Sequence, residues 1–160
     1  MSRNPQISIK DIMTRKVISV HPDDLLIDAA KTLAEHNFDG VPVVDKDKKI
    51  VGILTEYDMI SKGSSVHLPT FQIIIQNLQV FRKDKSQFRK EFEEISSLKV
   101  KDVMNDNPLT LSENATFEET VAAFRDHHRV NPIPVINNKH KVVGVVSRFD
   151  VLKPLHLLKT

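Results

Sequence analysis

The chain contains the same unit twice. Each shared segment returns 91 or 92 positions later: Lys10–Met13 at Lys101–Met104, Val41–Val44 at Ile133–Ile136, and Ile50–Asp58 at Val142–Asp150. Such constant spacing indicates a duplication, and an internal repeat constrains the architecture before any local signal does. Two copies predict a pseudo-symmetric pair, in which a site in one copy has a counterpart in the other.

Composition narrows the class of protein. Each copy alone is too short to bury a large core, so we expect the copies to pack on each other. A net charge of +2 over 160 residues does not by itself indicate nucleic-acid binding. The absence of cysteine excludes disulfides and thiolate chemistry and predicts a cytoplasmic location. No apolar run approaches the roughly 20 residues of a membrane helix, so no membrane insertion is expected.

Both copies predict the element order β-α-β-β-α. The opening strands and helices are expected around 17–20, 25–33, 108–111 and 117–124, where apolar residues of the helices recur every three or four positions. Thr116 and Glu119 form a capping-box pattern, and Asp24 is the nearest cap candidate for the first copy. Two β-rich strands follow in each copy, and second helices open at Thr55 and Ser147.

Residues 63–97 separate the copies and predict a helical insertion. Apolar residues form helical stripes at 71–81 and 88–95. Basic and acidic residues are mixed around the second stripe. We interpret this as a solvated helical face, and a basic surface that contacts a partner is the other interpretation.

The motif Gly-x-x-Thr/Ser-x-x-Asp closes both copies, at Gly52–Asp58 and Gly144–Asp150. A strand there leads into a helix start, where unpaired amides and the helix dipole favour an anion. A hydroxyl at this point can donate to a phosphate or sugar oxygen, and a carboxylate one turn later can accept from a ribose diol. The same residues also form an ordinary capping box that needs no ligand. The motif alone leaves both interpretations open.

Taken together, the element order, the Lys-Asp-Ile/Val-Met segments, the Val/Ile-Pro-Val strands and the two closing motifs resemble the CBS domain, named for cystathionine β-synthase. Two copies resemble the tandem CBS module, with repeats at 7–62 and 98–155 around the insertion at 63–97. The resemblance implies an α/β (α+β) fold whose repeats pack sheet to sheet about a pseudo-two-fold axis and leave two clefts. It also implies adenosine-containing ligands, namely AMP, ADP, ATP or S-adenosylmethionine.

The resemblance assigns site roles to matching positions of this chain. The ribose-binding acids fall on Asp58 and Asp150, and the neighbouring hydroxyls fall on Thr55 and Ser147. The adenine contacts fall on the backbone around the strand prolines and on the opening strands, including Gly40, Val41, Pro132, Ile133, Val17 and Ile18. The candidates for phosphate contacts are Arg148, Arg129, Lys16 and Arg15.

The two clefts are expected to differ. Glu56 in the first copy stands where the second has Arg148, and a carboxylate repels a polyphosphate. Gly40 stands where the second copy has Pro132, which lacks an amide donor. Arg148 favours the second cleft for a charged nucleotide, whereas Gly40 leaves the first freer to admit an adenine. We expect the charged nucleotide in the second cleft.

The resulting hypothesis is a regulatory sensor that binds an adenosine ligand, with no obligatory cofactor, and signals to an effector protein in trans. A homodimer is expected. The other interpretation is a ligand-independent module for dimerisation or protein interaction. The sequence contains no nucleophile elbow, phosphate-binding glycine loop or metal-ligand spacing, so we expect neither catalysis nor a metal site. The basic stretch at 82–90 lacks a nucleic-acid recognition motif, so no nucleic-acid binding is expected.

Overall fold

The computed structural model describes residues 7–61, 93 and 96–157. In chain order the elements are α1 (Ile9–Ile12), α2 (Leu26–His36), β1 (Gly40–Val44), β2 (Ile50–Thr55), α3 (Glu56–Ser61), α4 (Val100–Val103), β3 (Leu111–Ser112), α5 (Phe117–Asp126), β4 (Ile133–Ile136), β5 (Val142–Val146) and a terminal 3₁₀ helix (Asp150–Leu157). Within residues 63–97 the described part includes only Glu93, Ser96 and Ser97. The apolar residues of both predicted stripes therefore lie outside the described residues. None of the helices in the described ranges has the length and apolar character to cross a membrane.

The mixed α and β architecture is as predicted, and in both repeats a long helix and then a pair of strands follow in the predicted order. The short helices α1 and α4 were not predicted. In each repeat the two long strands form an antiparallel hairpin, β1 with β2 and β4 with β5. In the second repeat the opening strand β3 runs parallel to β4, with Leu111 beside Val135. Two predictions are wrong: the strand expected at 17–20 is reduced to an isolated parallel bridge between Val20 and Val43, and the segment after Ser147 is a 3₁₀ helix that begins at Asp150.

The caps of the two long helices differ. Thr116 and Glu119 form the predicted capping box of α5, with the amide of Glu119 donating to Thr116 Oγ1 at 3.1 Å. The prediction of Asp24 as the cap of α2 is wrong, because its carboxylate instead accepts from the amide of His21 at 2.7 Å. The N-cap of α2 is Leu25, which supplies no side-chain hydrogen bond. A leucine has no oxygen with which to satisfy the first helical amides.

The short helices α1 and α4 are exchanged between the repeats. Ile9 and Ile12 of α1 are buried in the core of the second repeat, together with Ile133 and Val135. Residues Val100 and Val103 of α4 are buried in the core of the first repeat, together with Leu33, Val41, Val43 and Leu54. Each repeat therefore completes its apolar core with a helix that belongs, in sequence, to the other copy.

Backbone pairing continues this exchange beyond the helices. Thr14, which follows α1, exchanges two backbone hydrogen bonds with Val145 of β5, at 2.8 and 3.0 Å. In the symmetric position, Asn105 exchanges two bonds of 2.9 Å with Ile53 of β2. The extended segment that begins each repeat therefore starts against the last strand of the other repeat.

The glycine of each closing motif accommodates the exchanged methionine. A Cβ atom built on Gly52 would lie 2.7 Å from Met104 Sδ and 2.8 Å from the carbonyl oxygen of Asn105. A Cβ atom built on Gly144 would lie 2.6 Å from Met13 Sδ. These separations are far shorter than the usual distance of about 3.5–4.0 Å between non-bonded heavy atoms. The glycine of each closing motif thus makes room for the methionine that follows the exchanged helix.

Two further contacts join the repeats. At the hairpin turns, the amide of Ile50 donates to the carbonyl of His140, and the amide of Val142 donates to that of Lys48, both at 3.1 Å. At the start of α4, Lys101 Nζ and Lys99 Nζ lie 2.8 and 3.2 Å from Asp23 Oδ1. The hydrogen bonds from Lys101 and then Lys99 hold the pKa of the Asp23 carboxyl below its ordinary value.

Candidate functional site

The closing motif of the second repeat forms a capping box around Asp150. Asp150 Oδ2 accepts from the amide of Ser147 at 2.7 Å and from its hydroxyl at 2.9 Å, and the amide of Asp150 lies 3.3 Å from Ser147 Oγ. The other carboxylate oxygen, Oδ1, lies 2.6 Å from Lys153 Nζ. Asp150 is buried, so these partners fix the carboxylate in one orientation.

The first repeat reproduces this geometry around Asp58. Its Oδ2 atom accepts from the hydroxyl of Thr55 at 2.6 Å and from the amide of Thr55 at 3.1 Å. Asp58 is buried to the same degree as Asp150. The capping-box interpretation of both motifs is therefore confirmed. It is compatible with ligand binding, because an ionised carboxylate has about four acceptor positions.

A cleft of about 320 Å³ opens beside the second motif. This volume is at the lower end of the range of small-molecule sites, roughly 300–1,000 Å³. The cleft is formed by the segment after α1, the loop into β1, the loop into β4, and the end of the second repeat. Its lining residues are Thr14, Lys16, Ile18, Asn37, Phe38, Asp39, Gly40, Val41, Pro42, Asn131, Pro132, Val145, Ser147, Phe149 and Asp150.

The cleft combines residues of the two repeats, which corrects one expectation from the sequence. Gly40 was associated with the first cleft and Arg148 with the second. The structure instead places Gly40 on the same cleft as Ser147 and Asp150. Gly40 reaches this cleft because it lies against Pro132, its counterpart in the second repeat: a Cβ atom built on Gly40 would lie 3.1 Å from Pro132 Cδ. The pairing of Thr14 with Val145 carries the first repeat's opening segment to the same place.

The predicted site residues divide into those that line this cleft and those that do not. The cleft brings together Gly40, Val41, Ile18, Ser147 and Asp150, with Lys16 and Pro132 from the wider set of candidates. The predicted residues Thr55, Asp58, Val17, Ile133, Arg129, Arg148 and Arg15 are not among its lining residues. Of these, Thr55 and Asp58 occupy the equivalent motif of the first repeat.

Arg148, a predicted phosphate contact of the second cleft, does not line the described cleft. Its guanidinium donates to the carbonyl oxygen of His128, and its amide donates to Asn131 Oδ1 at 3.0 Å. Arg129 also points elsewhere, with Nη1 3.4 Å from the hydroxyl of Tyr57. Arg148 is therefore bonded within its own repeat, whereas Arg129 contacts the first repeat.

Several cleft residues were not predicted. Phe38 and Phe149 give the cleft aromatic walls, and Asn37 lines it from the C-cap of α2, where its φ of 53° is left-handed. One signal was available in the sequence: Phe149 lies within the closing motif and matches Tyr57 of the first copy. Asn37 also carries a signal, because asparagine tolerates the left-handed conformation at helix ends.

Three charged side chains line the cleft, namely Lys16, Asp39 and Asp150. Asp150 is paired with Lys153, whose ammonium also donates to the carbonyl of Ile12 at 2.6 Å. Asp39 accepts a hydrogen bond from the side-chain amide of Asn131, its counterpart in the second repeat. Among the described residues, no lysine, arginine or histidine forms an ion pair with Asp39.

Metal binding receives no support from this geometry. Within residues 7–61 and 96–157, no group of three histidine or carboxylate side chains is arranged to hold a metal ion. The polar side chains of the cleft are instead two hydroxyls, two amides, one ammonium and two carboxylates. This donor set suits hydrogen bonding to a polar organic ligand.

Comparison with known proteins covers both repeats. A sequence profile of the CBS domain matches residues 9–65 and 100–157. An uncharacterised protein of Methanocaldococcus jannaschii is 27% identical over 153 residues, which covers 92% of this chain and 90% of the relative.

Two solved structures with bound ligands have a similar fold. The structure of CBSX2 in complex with AMP, a CBS-pair protein of Arabidopsis thaliana, has a TM-score of 0.70 at 21% identity, covering 96% of this chain and 99% of that one. The CBS domain pair of protein MJ0100, in complex with 5′-methylthioadenosine and S-adenosyl-L-methionine, has a TM-score of 0.66 at 22% identity, covering 97% of this chain and 100% of that one. At these identities the likeness shows the fold.

Proposed function

Because the chain belongs to the CBS domain family, we propose that it is a regulatory module that binds an adenosine-containing ligand in the cleft beside Asp150. The observation that carries the proposal is the placement of a fixed, buried carboxylate and a hydroxyl at the wall of a cleft of small-molecule size. In this proposal Asp150 accepts from the ribose diol and Ser147 contacts the sugar or the group attached to it.

The apolar side of the cleft supports the same ligand class. Ile18, Phe38, Val41 and Pro42 lie on the cleft wall and provide surface on which a purine base can pack. The cleft therefore offers apolar surface for the base and polar groups for the ribose. The relatives CBSX2 and MJ0100 were solved with AMP and with 5′-methylthioadenosine and S-adenosyl-L-methionine, respectively, which supports adenosine as the shared element.

The regulatory output follows from the position of the cleft. The walls of the cleft come from both repeats. A ligand that contacts both repeats therefore stabilises one relative arrangement of the repeats over another. An effector protein that distinguishes these arrangements would read the ligand in trans. We infer a homodimer as well, because Phe149, Leu152 and Leu155 at the end of the chain are 77%, 50% and 58% exposed. The proposed role is binding and regulation in the cytoplasm, without catalysis.

Calorimetry on purified protein with adenosine, AMP, ADP, ATP and S-adenosylmethionine tests the proposal. We expect saturable binding of at least one of them. Asp150→Asn keeps an oxygen for the capping box but removes the charge, so we expect a loss of about 10–100-fold in affinity, the size of one or two charge-assisted hydrogen bonds. Asp47→Asn, at an exposed carboxylate outside the described cleft, makes the same change in net charge and is the control.

Two outcomes contradict the proposal. One is the absence of binding by every adenosine compound. The other is an Asp150→Asn variant that keeps the affinity and stoichiometry of the unmodified protein.

The ligand-independent interaction module is the second candidate. It is favoured by the closed capping boxes, which satisfy both motifs without a ligand. It predicts a dimer whose dissociation constant is the same with and without adenosine compounds. Sedimentation of the protein at several concentrations, with and without ligand, separates the two candidates. A ligand-dependent dissociation constant supports the sensor.

A further inference from the structure

We propose that Asp39 restricts the described cleft to adenosine derivatives whose 5′ substituent is uncharged or cationic, and disfavours polyphosphates. This inference rests on the proposed function, because it specifies which adenosine ligand that same cleft takes. It begins from the charges on the cleft wall: one ammonium, on Lys16, and two carboxylates, on Asp39 and Asp150.

The two carboxylates are not equivalent. Asp150 has Lys153 Nζ 2.6 Å from Oδ1, so its negative charge is offset by a cation fixed to the carbonyl of Ile12. Asp39 receives a hydrogen bond from the neutral amide of Asn131, and no ion pair within the described part of the chain. The uncompensated negative charge at the cleft wall is therefore that of Asp39.

Asp39 is held in place by contacts from both repeats. Its carbonyl accepts from the amide of Glu56 at 3.0 Å, and its carboxylate contacts Asn131, which in turn accepts from the amide of Arg148. Both the backbone and the side chain are thus constrained. An anionic ligand cannot displace the carboxylate without breaking the contact with Asn131.

A phosphate chain entering this cleft gains little net attraction, because the carboxylate of Asp39 offsets the ammonium of Lys16. Lys16 is the one cation on the wall formed by the described residues, and the arginine predicted for phosphates, Arg148, is bonded to His128 instead. A like charge within a few ångströms disfavours an anion, and the effect grows as water is excluded. A thioether or a sulfonium at the 5′ position avoids this repulsion, and a sulfonium gains attraction to Asp39.

The test is a binding series with four compounds that share the adenosine group: 5′-methylthioadenosine, S-adenosylmethionine, AMP and ATP. We expect 5′-methylthioadenosine and S-adenosylmethionine to bind most tightly, AMP more weakly, and ATP at least about tenfold more weakly than 5′-methylthioadenosine. That ratio corresponds to a difference of about 1.4 kcal/mol. The discrimination should shrink at high ionic strength, where salt screens partly exposed charges.

Asp39→Asn assigns the effect to one side chain. The equivalent position of the second repeat is Asn131, so the chain already places an asparagine in this setting. We expect the affinity for AMP and ATP to rise about three- to tenfold, with 5′-methylthioadenosine unchanged within about twofold. Asp47→Asn, at an exposed carboxylate in the turn between β1 and β2, makes the same change in net charge outside the cleft and should change none of the four affinities.

The outcomes separate this inference from the proposed function. If no adenosine compound binds, both are overturned. If 5′-methylthioadenosine binds but ATP binds as tightly, the proposed function stands and the role of Asp39 is overturned. A uniform loss of all four ligands in Asp39→Asn would show a structural role for this residue, and would also overturn the inference.

Discussion

Single atoms decide how closely the repeats approach at Gly52 and Gly144. We expect both Gly→Ala variants to destabilise the protein by about 1–3 kcal/mol, as overpacking does. The two variants should respond differently when the neighbouring methionine is also shortened. The added Cβ at position 52 meets the carbonyl oxygen of Asn105 at 2.8 Å as well as Met104, whereas at position 144 the nearest backbone atom is 3.3 Å away. Urea unfolding of double variants checks this: Met13→Ala should offset much of Gly144→Ala, and Met104→Ala should not offset Gly52→Ala. Equal coupling in both pairs would contradict the geometry.

At the scale of elements, the exchange of α1 and α4 fixes which strands are neighbours. The chain has no cysteine, so an introduced pair reports on one contact alone. Thr14 and Val145 exchange both backbone bonds, and such pairs have Cα atoms about 5.5 Å apart, which suits a disulfide. We expect Thr14→Cys with Val145→Cys to oxidise within one chain, as seen by altered migration on a non-reducing gel. The control is Thr14→Cys with Ile53→Cys, the neighbours in an arrangement without exchange. Oxidation of the control pair alone would contradict the fold.

For the whole molecule, shared cores predict a single unfolding transition. Val43 and Val135 are fully buried at equivalent positions, each paired across the hairpin with the glycine of its motif. Valine-to-alanine changes at either should lower the free energy of unfolding by about 1–3 kcal/mol. Tyr57, the one tyrosine of the chain, lies in the first repeat, and its fluorescence should report both changes equally. If Val135→Ala leaves the transition at Tyr57 unchanged, the repeats unfold independently.

Periodicity and repetition were enough to predict the two long helices, the two strand pairs and much of the core. The sequence could not predict the exchange, because the Lys-Asp-Ile/Val-Met segments are nearly identical and either would fit the apolar face of either repeat. It could not predict the direction of Arg148 either, which depends on a carbonyl at His128 and an amide oxygen at Asn131. The position in the motif indicates where the backbone of a residue lies, whereas its tertiary neighbours decide the direction of its side chain.

The exchanged helices α1 and α4 also bear on how the protein is synthesised and how its gene can be rearranged. The first repeat's core includes Val100 and Val103, so it stays incomplete on the ribosome until the segment after it, through Val103, has been synthesised. The core of the second repeat uses α1, which precedes it in the chain, so that helix is already present when the second repeat is made. Neither copy can be cut out as a finished unit by a genetic rearrangement that respects the repeat boundaries. The duplication has become an indivisible pair.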